Sequence, residues 1–452
     1  TNLGLAEVNC YQTGDSMATI IESDLNRYEV VKVLNPDNQV LNVAFAAGQP
    51  GETSPTNDAF GRFRVSSPLT LFDSSHRFAD NNLWAEDTAN GGTSAFSANE
   101  GLINLSTTTT SGSLVYRETF KVFSYQPGKS LLVLNTFVFN EAKENLRQRC
   151  GYFGDDNGIY IELDDSTLSF VERSSVTGSI TETKVSQSNW NVDPMDGTGP
   201  SGVTLDITKA QIFWMDIEWL GLGTVRLGFV IDGTFIHCHS FHHANIITST
   251  YITTASLPLR YEIENTGTTA SNSTLKQVCS SVISEGGYEL RGVQQAVGTP
   301  ITTPVTLTTA GTYYPIISIR LKTSPDRLDA IVILTALSII GITNNSTYNW
   351  RVVIDGTTTG GTWVSAGTNS SVEYNISGTS FTQGTGRILA SGYTVGSNQG
   401  STAVDILKAA LFTTQLERDT FNSTVKELTL IAGADANGSE IYGAMDWEEI
   451  SR

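Results

Sequence analysis

The sequence predicts an all-β chain of two β-sandwich, jelly-roll-like domains preceded by an extended N-terminal region. Three observations predict it. Apolar and polar residues alternate in run after run, as in IYIEL at 159–163, and alternation places the two sets on opposite faces of a strand. The runs are punctuated by Asn157-Gly158 and Asp232-Gly233, dipeptides that favour tight hairpin turns. Only 16% of the 452 residues are charged, and Thr, Ser, Gly and Asn abound, a profile of strands and turns rather than of a helical enzyme.

The N-terminal region is assigned to residues 1–74. Its runs at 28–34 (YEVVKVL) and 40–45 (VLNVAF) read as strands joined by the turn NPDNQ. Residues 48–58 have linker composition. The segment 59–73 mixes Phe60, Phe63, Val65, Leu69, Leu71 and Phe72 with Arg62 and Arg64. Pro68 argues against a central strand, so an extended arm that docks across another surface is expected. Phe60, Arg62, Phe63, Arg64, Leu69 and Phe72 are its interface residues, Arg being suited to carboxylates across an interface. Packing of the arm against its own sandwich is the competing reading.

The first sandwich is assigned to 75–290. Strands are expected near 101–105, 113–123 and 130–139, then at 159–163, 168–173, 212–220 and 225–238, and finally at 257–265 and 275–284. Trp214, Trp219, Phe213 and Phe229 supply a large aromatic load, and 212–220 is expected to be a central buried strand. The polar, Pro/Gly-containing stretch 291–304 reads as a linker. The second sandwich follows at 300–452, with strands near 312–322, 330–342, 349–354, 362–364, 371–376, 387–395 and 425–432. Residues 403–413 are expected to form its one helix, and DWEEISR an acidic end. There is no internal repeat or heptad pattern.

The formal net charge of −19 opposes association with a nucleic-acid backbone. The longest apolar run, 330–342, is too short for a membrane helix, so neither nucleic acid nor membrane insertion is expected. No signal-peptide pattern opens the sequence, and Thr1 fits removal of an initiator Met. Four widely spaced Cys, residues 10, 150, 238 and 279, read as free thiols of a reducing compartment rather than a disulfide framework.

Several clusters bear on chemistry. In FIHCHSFHH, His237 and His239 would share a strand face, a spacing that can chelate a metal, with Cys238 facing away; no assured third ligand accompanies them. Asp155, Asp156, Asp164 and Asp165 could offer oxygen ligands to calcium, but without the EF-hand spacing, and Asp at such turns ordinarily caps the turn. His237, His239, Asp155 and Asp156 are therefore the positions a metal would use, while the expectation is that no metal or cofactor is bound. Asp193, Asp196 and Asp206 lie in a Gly-rich loop that lacks the ending of a phosphate-binding loop. Asp216 and Glu218 are two apart on one strand, about 7 Å between Cα atoms, the one pair that resembles glycosidase carboxylates. There is no GxSxG, and an enzyme is not expected.

AFGRFRVSSPLTLFDS (59–74), GYFGDDNGIYIELDD (151–165), SQSNWNVDPMDGTGPSG (186–202) and IFWMDIEWLGLGTVRLGFVIDG (212–233) resemble a group of virion structural proteins of tailed bacteriophages, including aquatic and cyanobacterial ones. The resemblance covers about 59–265. It implies a concanavalin-like or laminin-G-like sandwich, membership of a virion assembled in the bacterial cytoplasm, and no catalytic residue. Trimers are common among such proteins, so a homotrimer bound to major capsid or tail proteins is implied. Three functions are weighed: an exterior structural protein, either capsid decoration or a fibre or tail component; a tail protein attaching to host surface polysaccharide, with Trp190 as a stacking platform; and a polysaccharide depolymerase.

Overall fold

The computed structural model describes residues 67–123, 125–287, 292–324, 330–396, 416 and 425–450, together with the backbone of the strands 18–21, 28–34, 40–46 and 402–404. The chain divides into two units, Thr1–Ser67 and Pro68–Arg452. In the first, β1 (Ala18–Ile21), β2 (Tyr28–Leu34) and β3 (Val40–Ala46) form an antiparallel three-stranded meander.

The second unit holds two β-sandwiches. The strands of the first are β4 (Leu69–Ser75), β5 (Trp84–Ala89), β6 (Thr93–Ser97), β7 (Leu102–Thr107), β8 (Leu114–Thr119), β9 (Leu131–Val138), β10 (Leu146–Phe153), β11 (Gly158–Asp164), β12 (Thr167–Ser174), β13 (Thr181–Ser186), β14 (Gln211–Ile217), β15 (Val225–Ile231), β16 (Thr234–Phe241), β17 (Leu259–Asn265) and β18 (Ser273–Ser284). One sheet has the order β13-β12-β11-β10-β17-β8-β5. The facing sheet runs β16-β15-β14-β9-β18-β7-β6, with β4 also paired to β18. Every pairing is antiparallel, and the alternation has the expected consequence: Leu131, Val133 and Phe137 of β9 point inward to join Tyr152, Ile161, Phe170, Phe213 and Phe229 in one core. β14 sits inside its sheet between β9 and β15, as expected of a central strand. Asp232 and Gly233 both take positive φ at the β15–β16 turn. Asn157 does not: the β10–β11 loop turns at Asp155 and Asp156, and Gly154 N–H donates to Asn157 O. Asn157 is buried and ties this loop to Ser175 and Thr253.

The second sandwich comprises β19 (Val293–Gly298), β20 (Val305–Leu307), β21 (Tyr314–Leu321), β22 (Ile331–Gly341), β23 (Thr347–Ile354), β24 (Thr358–Thr359), β25 (Val364–Ser365), β26 (Val372–Asn375), β27 (Ser380–Phe381), β28 (Arg387–Val395), β29 (Thr402–Val404), β30 (Leu428–Ala434) and β31 (Ser439–Ile450). One sheet has the order β19-β31-β22-β29, with β20 also on β31; the other runs β25-β26-β21-β30-β23-β28. Ile317, Ile319, Leu337, Tyr348, Trp350, Leu430, Met445 and Trp447 fill the space between them. The β24–β27 pair covers part of the second sheet's outer face, where Phe381 packs on Val353 and Ile431.

Three expectations are corrected. Residues 291–304 are not a plain linker, since β19 lies among them and pairs along β31. The acidic end is instead the twelve-residue β31, which pairs with β19, β20 and β22. Its Glu449 is 2% exposed and is met by three donors: Ser370 Oγ at 2.6 Å, Ser371 N at 2.6 Å and Trp447 Nε1 at 2.8 Å. Of the expected helix at 403–413, residues 403 and 404 belong to β29 and the rest lies outside the described residues.

Candidate binding site

The expected docking arm is only partly described: Phe60, Arg62, Phe63 and Arg64 lie outside the described residues. The remainder is a strand of the first sandwich, because Pro68 precedes β4 rather than interrupting it, and the chain then pairs with β18. Phe72 is not an interface residue but a core one, 8% exposed, with ring centroids 5.1 Å from Phe123 and 6.1 Å from Trp84. Leu69 is exposed.

Trp190 is likewise no stacking platform. It is buried, stacked 4.2 Å from Phe170, and its indole N–H donates to Val185 O. The loop that carries it folds inward because its own polar groups are satisfied: Asp193 accepts from Met195 N and Ser201 N, and Asn191 exchanges hydrogen bonds with Ser240. Trp219, placed by its sequence in the central strand, comes after the end of β14 and is half-buried against Tyr125.

The two histidines do not share a face. Pairing of β15 with β16 slips by one residue between Leu227–His239 and Gly228–His237, a bulge that re-aims the side chains around Cys238. His237 lies beside Trp214 on the outer side, whereas His239 lies beside Phe170 and Phe241. Burial holds His239 down at about 4 and pushes the Cys238 thiol up, so neither is arranged as a ligand pair. Asp155 is engaged by Arg260 at 2.7 Å. It sits with Asp156 at one end of β11, while Asp164 and Asp165 sit at the other. Among the described residues no three His, Cys, Asp or Glu side chains gather to hold a metal. Cys150 and Cys238 are buried free thiols and Cys279 is an exposed one.

The Asp216–Glu218 pair is also disarmed. Asp216 is buried and accepts from Arg226 and Ser130. Asp196 and Asp206 accept from the N–H and hydroxyl of Thr198 and Thr208, ordinary turn contacts that lower their proton affinity.

Two organised surfaces escaped the sequence reading. The first is the outer face of the β13–β5 sheet. Arg149, Arg173 and Arg260 surround the tilted pair Phe153–Tyr160, whose centroids are 4.4 Å apart, at 5.3–6.0 Å from one or both rings. Carboxylates alternate with them: Glu262 holds Arg149, and Glu182 holds Arg173 at 2.7 Å. Burial opposes the charge on Glu182, but hydrogen bonds from Arg173 and Tyr160 outweigh it and hold its pKa at about 2. Gly151 makes room for this layer: a Cβ there would lie 2.6 Å from Tyr160 Cα. Donors and acceptors are spent on one another, so the layer stiffens the sheet.

The second is a cleft of about 670 Å³ where the two sandwiches meet. Leu71, Phe72, Leu83 and Phe120 line it from the first sandwich; Ile354 and Leu389 line it from the second. Lys121, Arg387 and Lys426 place cations around it, against Asp73 and Asp355. Lys426 Nζ stands 4.3 Å above the Phe120 ring, joining the sandwiches. Nearby, Val122 of the first packs with Ile331 and Ile333 of the second. Clefts between domains with apolar walls and a few convergent polar groups are the usual form of ligand sites.

No family model and no curated protein matches the chain. Solved structures similar to part of it include a protein of unknown function from Shewanella oneidensis, 12% identical, covering 54% of this chain and 100% of that one, with a TM-score of 0.33. The CBM2 module of the evolved Dit of Lactobacillus casei BL23 phage J-1 is 7% identical and covers 50% and 100%, with a TM-score of 0.33. A legume lectin-like domain from Entamoeba histolytica is 8% identical and covers 49% and 99%, with a TM-score of 0.29. At these scores the likenesses carry no weight for what this chain binds.

Proposed function

We propose that the chain is a non-catalytic structural protein of a tailed-phage exterior, either a capsid decoration or a fibre or tail component, that contacts host surface glycan. It acts as a homotrimer joined to capsid or tail proteins. Particle membership rests on the resemblance of the four sequence motifs. The glycan contact is supported by the inter-sandwich cleft, whose aromatic and aliphatic walls carry a rim of Lys121, Arg387, Lys426, Asp73 and Asp355. Such a mixture stacks on a sugar's apolar face and hydrogen-bonds its hydroxyls.

Catalysis is disfavoured by the fate of the carboxylates. A glycosidase needs one carboxyl that holds its proton and another free to attack or to activate water. Asp216 is consumed by Arg226 and Ser130. Glu427 is the one described carboxyl whose proton affinity is raised, by burial, and Thr358 is its hydrogen-bonding partner. The test is incubation with purified host surface polysaccharide. Retention of the polymer with no new reducing ends is expected; release of oligosaccharides would make the chain a depolymerase.

A further inference from the structure

Resting on the glycan-contact reading, we propose that a separate groove on the outer face of the second sandwich binds one ring of a neutral hexose chain. It lies at the end of the β30–β23–β28 rows, far in sequence from every motif discussed above. Asn349 pairs directly with Gly433 on one side and Tyr393 on the other, and directly opposed residues present their side chains to the same face. The row therefore reads glycine, amide, phenol across three strands. Tyr313, just before β21, closes the far side. The groove between the two tyrosines measures about 170 Å³ and is completed by Gly311, Thr347, Ala434 and Asp435.

Its walls are set before any ligand arrives. Gln383 holds the Tyr313 backbone from both sides, accepting from its N–H at 3.3 Å and donating to its carbonyl at 2.9 Å. The Tyr313 hydroxyl donates to Asn349 Oδ1 at 2.5 Å, and the Arg351 guanidinium stands 4.2 Å from the ring centroid. Asn349 is anchored in turn by Gly392 O at 3.0 Å. Gly433 keeps the floor open, since a Cβ there would come 3.0 Å from Thr312 O and 3.5 Å from the Tyr313 ring. Tyr393 is 75% exposed, so core packing does not explain an aromatic residue there. Asp435 accepts from Thr347 N at 2.9 Å and lines the groove.

This chemistry selects a class of ligand. Tyrosine faces suit the C–H face of a pyranose, and the Asp435 carboxylate and the phenol of exposed Tyr393 suit its hydroxyls. Asp435 lines the groove and Arg351, held against the Tyr313 ring, does not, so in a chain of net charge −19 the groove opposes uronic or sialic acids. The occupant is therefore a neutral hexose unit.

The test uses the full chain and saturation-transfer NMR, with neutral gluco-, galacto- and manno-oligosaccharides and polygalacturonate fragments as probes. At least one neutral probe is expected to bind. Tyr393→Ala, at an exposed site, is expected to weaken it at least tenfold with an unchanged melting temperature, while Ile301→Ala, at an exposed site outside both groove and cleft, leaves it within twofold. Wild-type binding that survives Tyr393→Ala but is lost in Arg387→Ala, in the cleft, would leave the glycan-contact reading standing and overturn the groove. Preference for polygalacturonate overturns the neutral class. Binding of no probe overturns the inference, while the glycan-contact reading is decided separately by retention of host surface polysaccharide.

Discussion

The histidines show how burial and hydrogen bonding push one side-chain type in opposite directions. Burial opposes the charge on His243, yet hydrogen bonds to Glu172 at 2.7 Å and to Gly223 O at 2.5 Å outweigh it, and its pKa is raised. His76 and His239 are buried without such acceptors and fall to about 4. A raised His contributes stability that is complete below the unfolded value of about 6.5 and is lost as pH rises through the folded value. A lowered His does the reverse, its contribution present above about 6.5 and lost as pH falls toward 4. Burial lowers His237 as well, so the melting temperature is expected to fall as pH drops from 6.5 to 4, and His239→Asn should flatten that fall by removing one of its three histidine causes. An unchanged slope in the variant would show that His239 protonates freely in the folded protein. None of this was legible in HCHSFHH. Spacing placed His237 and His239 on one face, and the bulge at Cys238, which no local residue signals, undid it. Trp190 was misjudged for a related reason: a polar loop conceals an indole that folds into the core it borders.

At the scale of elements, the strands were legible wherever period-two alternation met apolar residues. The central place of β14 followed from its aromatic load, and the Asp232-Gly233 turn from its backbone preference. The failures share a physical cause. β31 ends in DWEEI, whose charges read as an acidic end rather than a strand, but Met445, Trp447 and Glu449 alternate inward and both carboxylate oxygens of Glu449 accept hydrogen bonds. β19 was hidden in the same way by QQ and Gly residues on a half-exposed strand. Glu449→Ala leaves the Ser371 N–H and the Trp447 N–H without their acceptor, while Ser370 Oγ keeps Val372 O, and each orphaned buried donor costs about 1–3 kcal/mol. A loss of about 3 kcal/mol or more in chemical denaturation is expected, with Glu440→Ala, on the half-exposed face of the same strand, as a near-neutral control. Equal losses in the two would show that the strand's net charge matters rather than the buried acceptor.

At the scale of the molecule, two sandwiches are joined through a hydrophobic contact and a cation–aromatic one, and a cleft lies where they meet. The all-β class and the two-sandwich plan were readable because periodicity is local and repeated. The cleft and the groove were not, since each gathers residues more than a hundred positions apart: Phe72 with Lys426, Tyr313 with Asp435. Sequence resemblance, in turn, reached the first sandwich alone. The central proposal, that this chain is a component of a tailed-phage exterior, is tested most directly by quantitative mass spectrometry of gradient-purified phage particles from lysates that contain the chain. The account expects the chain in intact particles at a fixed copy number that is a multiple of three. Its presence in the lysate but absence from purified particles would contradict that claim.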